Sequence, residues 1–245
     1  GFFNGTTDGA SDDLDTSDGK DLAARVFATP FKTSGPSFLK GLGLGIAATT
    51  GSSEGTLAAP GLPSFRTGGR ETFFRFRGDA TEANTVVADG ARRRVSPQGY
   101  WYVGPFGLLG EYVRVETEVR RAEDSRTLTN TAYNATASFV LTGEPASTKG
   151  VVPRRPLDPR GGGWGALELV ARATGLEVDA NTFPTFADPA RSMRRATAYG
   201  AGVNWYLNRA VRALVNYERT SFDPADGAAA RVDENVIVTR LQVYF

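Results

Sequence analysis

Alternation with a period of two is the feature that most constrains this chain. In the closing "NVIVTRLQVYF", Phe245, Val243, Leu241, Thr239 and Ile237 share one side, and Tyr244, Gln242, Arg240 and Val238 share the other. Successive side chains of a strand point to opposite faces, so a segment of this kind is a β-strand with one oily and one wetter side. The pattern recurs in "TAYNATASFVL", and in "TAYGAGVNWYLNRAVRALVNYERTSF", where Tyr199, Ala201, Val203, Trp205 and Leu207 oppose Gly200, Gly202, Asn204 and Tyr206. After "LNR", Val211, Ala213, Val215 and Tyr217 alternate with Arg212, Leu214, Asn216 and Glu218, so the two runs form a hairpin. Further strands are expected in "KDLAARVFATPF", "LGLGIAATT", "RRRVSPQGYWYV", "FGLLGEYVRVETEV" and "WGALELVARAT". Helical periodicity with proper caps is scarce, and no stretch approaches the ~18 apolar residues that a membrane-crossing helix needs.

Connection lengths carry a second signal. Short turns such as "VGPFG" and "LNR" alternate with longer polar stretches such as "NGTTDGASDDLDTSDG", "RRAEDSRTLTN", "GLEVDANTFPTFADPARSMR" and "DPADGAAARVDE". Strands of about ten residues, with short turns at one end and long loops at the other, are the pattern of a transmembrane antiparallel β-barrel of the outer-membrane porin type. The fold class read here is therefore all-β, with residues 1–245 as a single barrel domain. Strand parity then requires two things. "TGEPASTKGVVPRRPLDPRGG" must be a long connection at the short-turn end, which leaves open whether residues 142–163 stay outside the lumen or fold into it. "ETFFRFR" cannot be a wall strand, so roughly residues 51–92 form one long loop that folds into the pore. The count gives nine complete strands plus the tail "GFFNG". Single-chain bacterial barrels use an even number, so the chain reads as the C-terminal strands of a larger barrel whose N-terminal strands are missing. Without Met, a basic n-region or an apolar core at the start, either a leader was removed or the chain is a fragment.

Composition removes whole classes of chemistry. The chain has no Cys and no His, which excludes disulfide scaffolds, thiolate or imidazole metal sites, and Ser-His-Asp or Cys-His catalysis. The formal net charge of +1 provides no global basic field for nucleic acid. The acidic "DGASDDLDTSDGKD" lacks EF-hand spacing and reads as a solvated loop. "GLGLGIA" superficially fits a dinucleotide fingerprint, yet Leu42, Leu44 and Ile46 alternate as a strand and no helix follows. No cofactor, metal or catalytic residue is expected.

At this point "SPQGYWYVGPFGLLGEYV", "FADPARSMRRATAYGAGVNWYLNRAVRALVNYERTSF" and "ENVIVTRLQVYF" support a resemblance. Together with the opening "FNGTTDGASDDLDTSDGKDLAARVFATPF", they resemble the phosphate-selective porin O and P family across essentially the whole chain, most specifically in "GPFGLLGEYV" and "NWYLNR". The resemblance implies a sixteen-stranded homotrimeric anion porin of the bacterial outer membrane, admitting phosphate or polyphosphate, with arginines along the channel and an inward loop at its constriction. An aromatic C-terminus such as Phe245 also looks like the signal read by the outer-membrane assembly machinery.

The residues bear on anion selectivity separately. If the apolar face meets outer-membrane lipid, Arg25, Arg92, Arg94, Arg172, Arg212 and Arg240 line the lumen, and the long loop adds Arg66, Arg70, Arg75 and Arg77. Arg75 and Arg77 are the expected constriction residues, with Arg92 and Arg94 as flanking guides. Guanidinium forks suit phosphate, and rings of cations favour anions. Glu168 and Glu218 point inward and offset part of that field, while in "GLLGEYVRV" either Glu111 or Arg114 faces lipid unless a bulge intervenes. Trp101, Trp164, Trp205, Tyr199 and Phe222 read as girdle or wall aromatics. Three rivals stay open: a general or carbohydrate-admitting porin whose arginines only balance carboxylates, a barrel enzyme for which no constellation is visible, and a soluble sandwich.

Overall fold

The computed structural model describes residues 1–4 and 19–244. Most of the acidic stretch and the terminal Phe245 lie outside them, and so do the expectations placed on a solvated acidic loop and an aromatic terminus. Among the described residues, ten strands form one antiparallel sheet in chain order. They are β1 (Phe2–Asn4), β2 (Lys20–Ala28), β3 (Leu42–Glu54), β6 (Val87–Val103), β7 (Phe106–Arg121), β8 (Asp124–Val140), β9 (Ala166–Glu177), β10 (Met193–Tyr206), β11 (Val211–Pro224) and β12 (Glu234–Val243). Two small strands, β4 (Phe65–Arg66) and β5 (Thr72–Phe74), pair only with each other, inside the connection from β3 to β6. "ETFFRFR" is therefore not a wall strand, and the nine long strands coincide with the nine alternating runs. Among the described residues, helix is confined to two 3-10 turns, at Ser37–Leu39 and Ala180–Thr182.

Register sorts the side chains of every strand onto two faces. Leu169, Val203, Val215 and Thr239 are cross-strand neighbours on one face, beside Leu241 and Ile237. Ile237 and Leu241 are 71% and 69% exposed, as are many aliphatic neighbours to a lesser degree, a continuous oily band that water alone would not tolerate. Aromatic residues bound this band at both edges. Phe106, Phe139 and Trp205 lie toward the short turns, and Tyr112, Tyr133, Tyr199 and Tyr217 lie toward the long connections. Phe106 and Tyr112, Phe139 and Tyr133, and Trp205 and Tyr199 are each six residues apart. Six residues of strand measure about 20 Å before tilt, the scale of an apolar belt between two aromatic girdles.

Two sequence expectations are corrected. "RRAEDSRTLTN" is not a long loop: β7 and β8 continue to Arg121 and Asp124 and are joined by Ala122 and Glu123, with Ala122 at φ 49°. Charged residues alternate there because the ladder runs on past the oily band. The long connection is also shorter than expected, since β3 reaches Glu54 and β6 starts at Val87, leaving residues 55–86. The ambiguity in "GLLGEYVRV" is resolved without a bulge at that point. Glu111 lies opposite Gln98 and accepts from the Ser96 hydroxyl at 2.5 Å on the polar face, while Arg114 lies on the other face and pairs with Glu116 at 2.8 Å.

Candidate functional site

Residues 55–86 fold across the polar face of the sheet. Phe73 and Phe74 supply the contact, buried with Val178, Ala187, Met193, Ala196 and Phe222 from β10, β11 and residues 178–192. A second cluster joins Val86 to Val119, Leu128 and Phe186. Polar bonds close the seam. Ser192 Oγ accepts from the Arg75 amide at 3.2 Å and donates to the Arg75 carbonyl at 2.9 Å, and the Arg77 amide donates to Phe186 O at 2.9 Å. Arg121 donates to Ala83 O (3.0 Å), Thr185 O (2.7 Å) and Asn84 Oδ1 (3.0 Å), so one guanidinium ties both long connections to the end of β7. On the opposite side, Arg231 donates to Thr72 O at 3.0 Å and Glu71 Oε2 at 2.7 Å and sits over the Phe222 ring. Within the segment, the Thr81 hydroxyl, then the Thr81 amide and Asn84, hold the Asp79 carboxyl below its usual range.

This fastening separates the loop arginines. Arg77 is pinned, its Nε donating to Pro184 O at 3.0 Å. Arg75 lies between Phe74 and Phe76, which both pack on the sheet side, and its side chain is exposed. The side chains of Arg66, Arg70 and Arg75 have no hydrogen-bond or ion-pair partner among the described residues.

All six arginines expected in the wall lie on the polar face; five fall into two groups, and Arg240 stands apart. Arg92 is almost fully buried and pairs with Asp21 at 2.8 Å, and Arg94 is 3.9 Å from the same carboxylate and donates to Thr49 Oγ1. A paired cation cannot contribute its full charge to a pore. The second group has neutral partners: Arg25 donates to Gln98 Oε1 at 2.6 Å, Arg172 to Asn134 Oδ1 at 3.2 Å, and Arg212 to Gln242 Oε1 at 2.8 Å. An amide oxygen orients a guanidinium and leaves its charge uncompensated. Arg240, on the outermost strand β12, is exposed with no partner among the described residues.

Residues 141–165 cover the polar face at its short-turn end. The Ala146 amide donates to Gly104 O at 2.8 Å and the Leu157 amide to Leu207 O at 2.6 Å, tying the segment to both short turns. Ala146 and Val151 bury against Val140, Ala166 and Tyr206, with Tyr102 beside them. Gly150 approaches the Tyr206 ring so closely that a Cβ there would lie 3.3 Å from it, and its φ of +88° also favours glycine. Beneath lies Glu168, nearly buried, accepting from Asn204 Nδ2 and the Tyr206 hydroxyl, both at 2.9 Å. In the segment itself, burial pushes Glu144 up, but bonds from the Thr142 hydroxyl and the Arg154 amide outweigh it and hold the carboxyl below its ordinary value.

Alternation alone found neither Arg121 nor Arg231, because both act through backbone carbonyls of distant connections. The amide partners were equally hidden: Gln98 stands on β6, two strands from Arg25 on β2. "VRRAEDSR" does hold the signal for Arg121, once it is read as a tight hairpin and not as a loop.

Comparison with known proteins matches this architecture. The family model described as phosphate-selective porin O and P matches residues 2–245. Porin O of Pseudomonas aeruginosa is 29% identical over 152 residues, covering 60% of this chain and 34% of that protein. The match thus spans about a third of the length of that curated relative.

Proposed function

We propose a function from one premise: the chain belongs to the phosphate-selective porin O and P family, a family of bacterial outer-membrane porins. Its sheet is part of the wall of a passive anion channel, and phosphate is the preferred ion. The observation that carries this is the partnering of the wall arginines. Arg25, Arg172 and Arg212 are held by amide oxygens, so three positive charges stand on the polar face without a bound carboxylate. Arg66, Arg70 and Arg75 add three more on the segment that crosses that face. Several moderate cations in a row let an anion enter and leave, whereas one enclosed site would trap it. Arg75 is the constriction cation, and Arg77 holds the loop. Arg92, paired with Asp21, is wall structure more than guide. No covalent step is involved. The same reading extends to trimeric assembly and to delivery by the outer-membrane assembly machinery, both of which the resemblance implies.

The test is the zero-current potential of the full-length protein in a planar bilayer under a potassium chloride gradient, before and after phosphate. The expected result is a potential near the chloride limit and chloride current that phosphate blocks. Arg75→Gln is expected to lower the anion-to-cation permeability ratio by at least half, while Arg209→Gln, in the exposed short turn, leaves it unchanged. A cation-leaning current indifferent to phosphate would return the chain to the general-porin class.

A further inference from the structure

Beneath the crossing segment, the polar face opens into a cleft of about 630 Å³ whose floor is the strand β10. At the level of Gly200 its two walls carry opposite charge and do not meet, while Arg212 lines the same cleft nearer the short turns, oriented by Gln242. Arg172 on β9 and Glu218 on β11 both stand directly opposite Gly200 on β10, one from each side. Two strand spacings separate their backbones, roughly 10 Å. Glycine at 200 leaves the space between them unfilled, and glycine at 202 lets the Asn216 amide lie across the floor, where a Cβ would strike its Oδ1. Arg172 leans away toward Asn134 on β8, and its terminal nitrogens take no partner among the described residues. Glu218 and Asn216 likewise have no hydrogen-bond or ion-pair partner among the described residues. From above, Gly68 presses on Glu218 so closely that a side chain at 68 would collide with its carboxylate. At the level of Gly200 the cleft therefore offers a guanidinium fork on one wall, and a carboxylate and an amide oxygen in want of donors on the other.

A bare oxyanion uses only half of this arrangement, and Glu218 repels it. We propose that the cleft is a subsite for phosphate monoesters of small polyols: the phosphate rests on Arg172, and hydroxyls at the far end donate to Glu218 and Asn216. This rests on the anion-channel reading and names a substrate class for it. A hydroxyl that donates to a carboxylate makes a charge-assisted bond, stronger than one between neutral groups, and hydrogen bonds of this kind discriminate between ligands of equal charge.

The experiment is block of chloride current through the full-length channel by three probes: inorganic phosphate, methyl phosphate and glycerol 3-phosphate. Methyl phosphate has the monoester without the hydroxyls. Native channels are expected to be half-blocked by glycerol 3-phosphate at a concentration about five-fold below that for methyl phosphate. In Glu218→Gln the advantage disappears, and the two changes have opposite sign: glycerol 3-phosphate weakens, while methyl phosphate and inorganic phosphate bind about two-fold tighter because a repulsive charge is gone. Asn216→Ala, a milder change at the same wall, weakens glycerol 3-phosphate alone. Equal block by the two esters in the native channel overturns the proposal, as does a Glu218→Gln effect of the same sign and size on both, and either result leaves the anion channel standing. A native channel that no phosphate blocks, with no anion preference, overturns both.

Discussion

Two segments cross the polar face, one from each end, and they are fastened by different means. Residues 55–86 are held chiefly by side chains, with main-chain bonds only at Arg77 and at the base by Gly55 and Pro60: Phe73, Phe74 and Val86 sink into clusters on the sheet, and Arg121 and Arg231 grip carbonyls on either side. Residues 141–165 are held chiefly by main chain, through amide-to-carbonyl bonds to the turns at Gly104 and Leu207, with only small residues, Ala146 and Val151, as apolar contact. A backbone tie is indifferent to the side chain above it, so a segment held that way tolerates substitution and resists single mutations. A segment held by a few large side chains can be released by changing one. The long-loop segment is thus the adjustable part of the molecule, and it carries the exposed arginines.

The comparison is broken most decisively at Phe74. Removing this fully buried ring is expected to cost about 3–5 kcal/mol of anchoring. Limited proteolysis of the folded protein should then cut within 55–86 at least ten-fold faster, with residues 141–165 unaffected. Val151→Ala, the matching change at the other end, removes far less apolar surface and is expected to accelerate cleavage there by a few-fold at most. Equal effects at the two ends would remove the distinction.

Arg121→Gln is the next test. It deletes three hydrogen bonds to the two long connections, a loss of roughly 1–3 kcal/mol. The expected outcome is a noisier open-channel current and faster cleavage within 55–86, with a smaller change in ion preference than Arg75→Gln produces. Arg121→Lys, which keeps the charge and loses the fork, should rescue only in part.

The smallest effect is that of acid. Asp79 in one segment and Glu144 in the other are both held below their ordinary values of 3.8 and 4.5. A carboxylate of depressed pKa stabilises the folded form above its ordinary value, and that contribution is lost as pH falls through the lowered one. Channel noise should therefore be flat from neutral pH down to about 5 and should rise only below the ordinary values. Asp79→Asn is expected to abolish the acid sensitivity of the long-loop segment alone.

Strand existence and facing were legible in the sequence because the oily band repeats every second residue and each strand needs it. Parity even excluded "ETFFRFR" from the wall. The extension of β7 and β8 was not legible, since beyond the band nothing oily marks which face is which, and "RRAEDSRTLTN" then resembles solvated loop. Arg126, expected in that loop, stands on β8 and donates to Asn181 at 2.9 Å. The facing of Arg25, Arg92 and Arg172 followed from alternation, yet not the difference between them. Arg92 meets Asp21 and Arg172 meets Asn134, and those pairings depend on which strands lie side by side.

The hairpin of β7 and β8 continues for nine residues past Tyr112, from 113 to 121, roughly 30 Å of strand beyond the aromatic girdle. The apolar clusters at Val119 and Leu128 and the grip of Arg121 all lie on that protruding part. The crossing segment is therefore anchored to protein that the bilayer does not touch. A membrane that thins or thickens will strain the girdles and tilt the wall, while the crossing segment, fastened to strand above the lipid, lies outside the layer in which that mismatch acts. In the channel proposed above, that anchoring would keep one calibre in membranes of differing thickness.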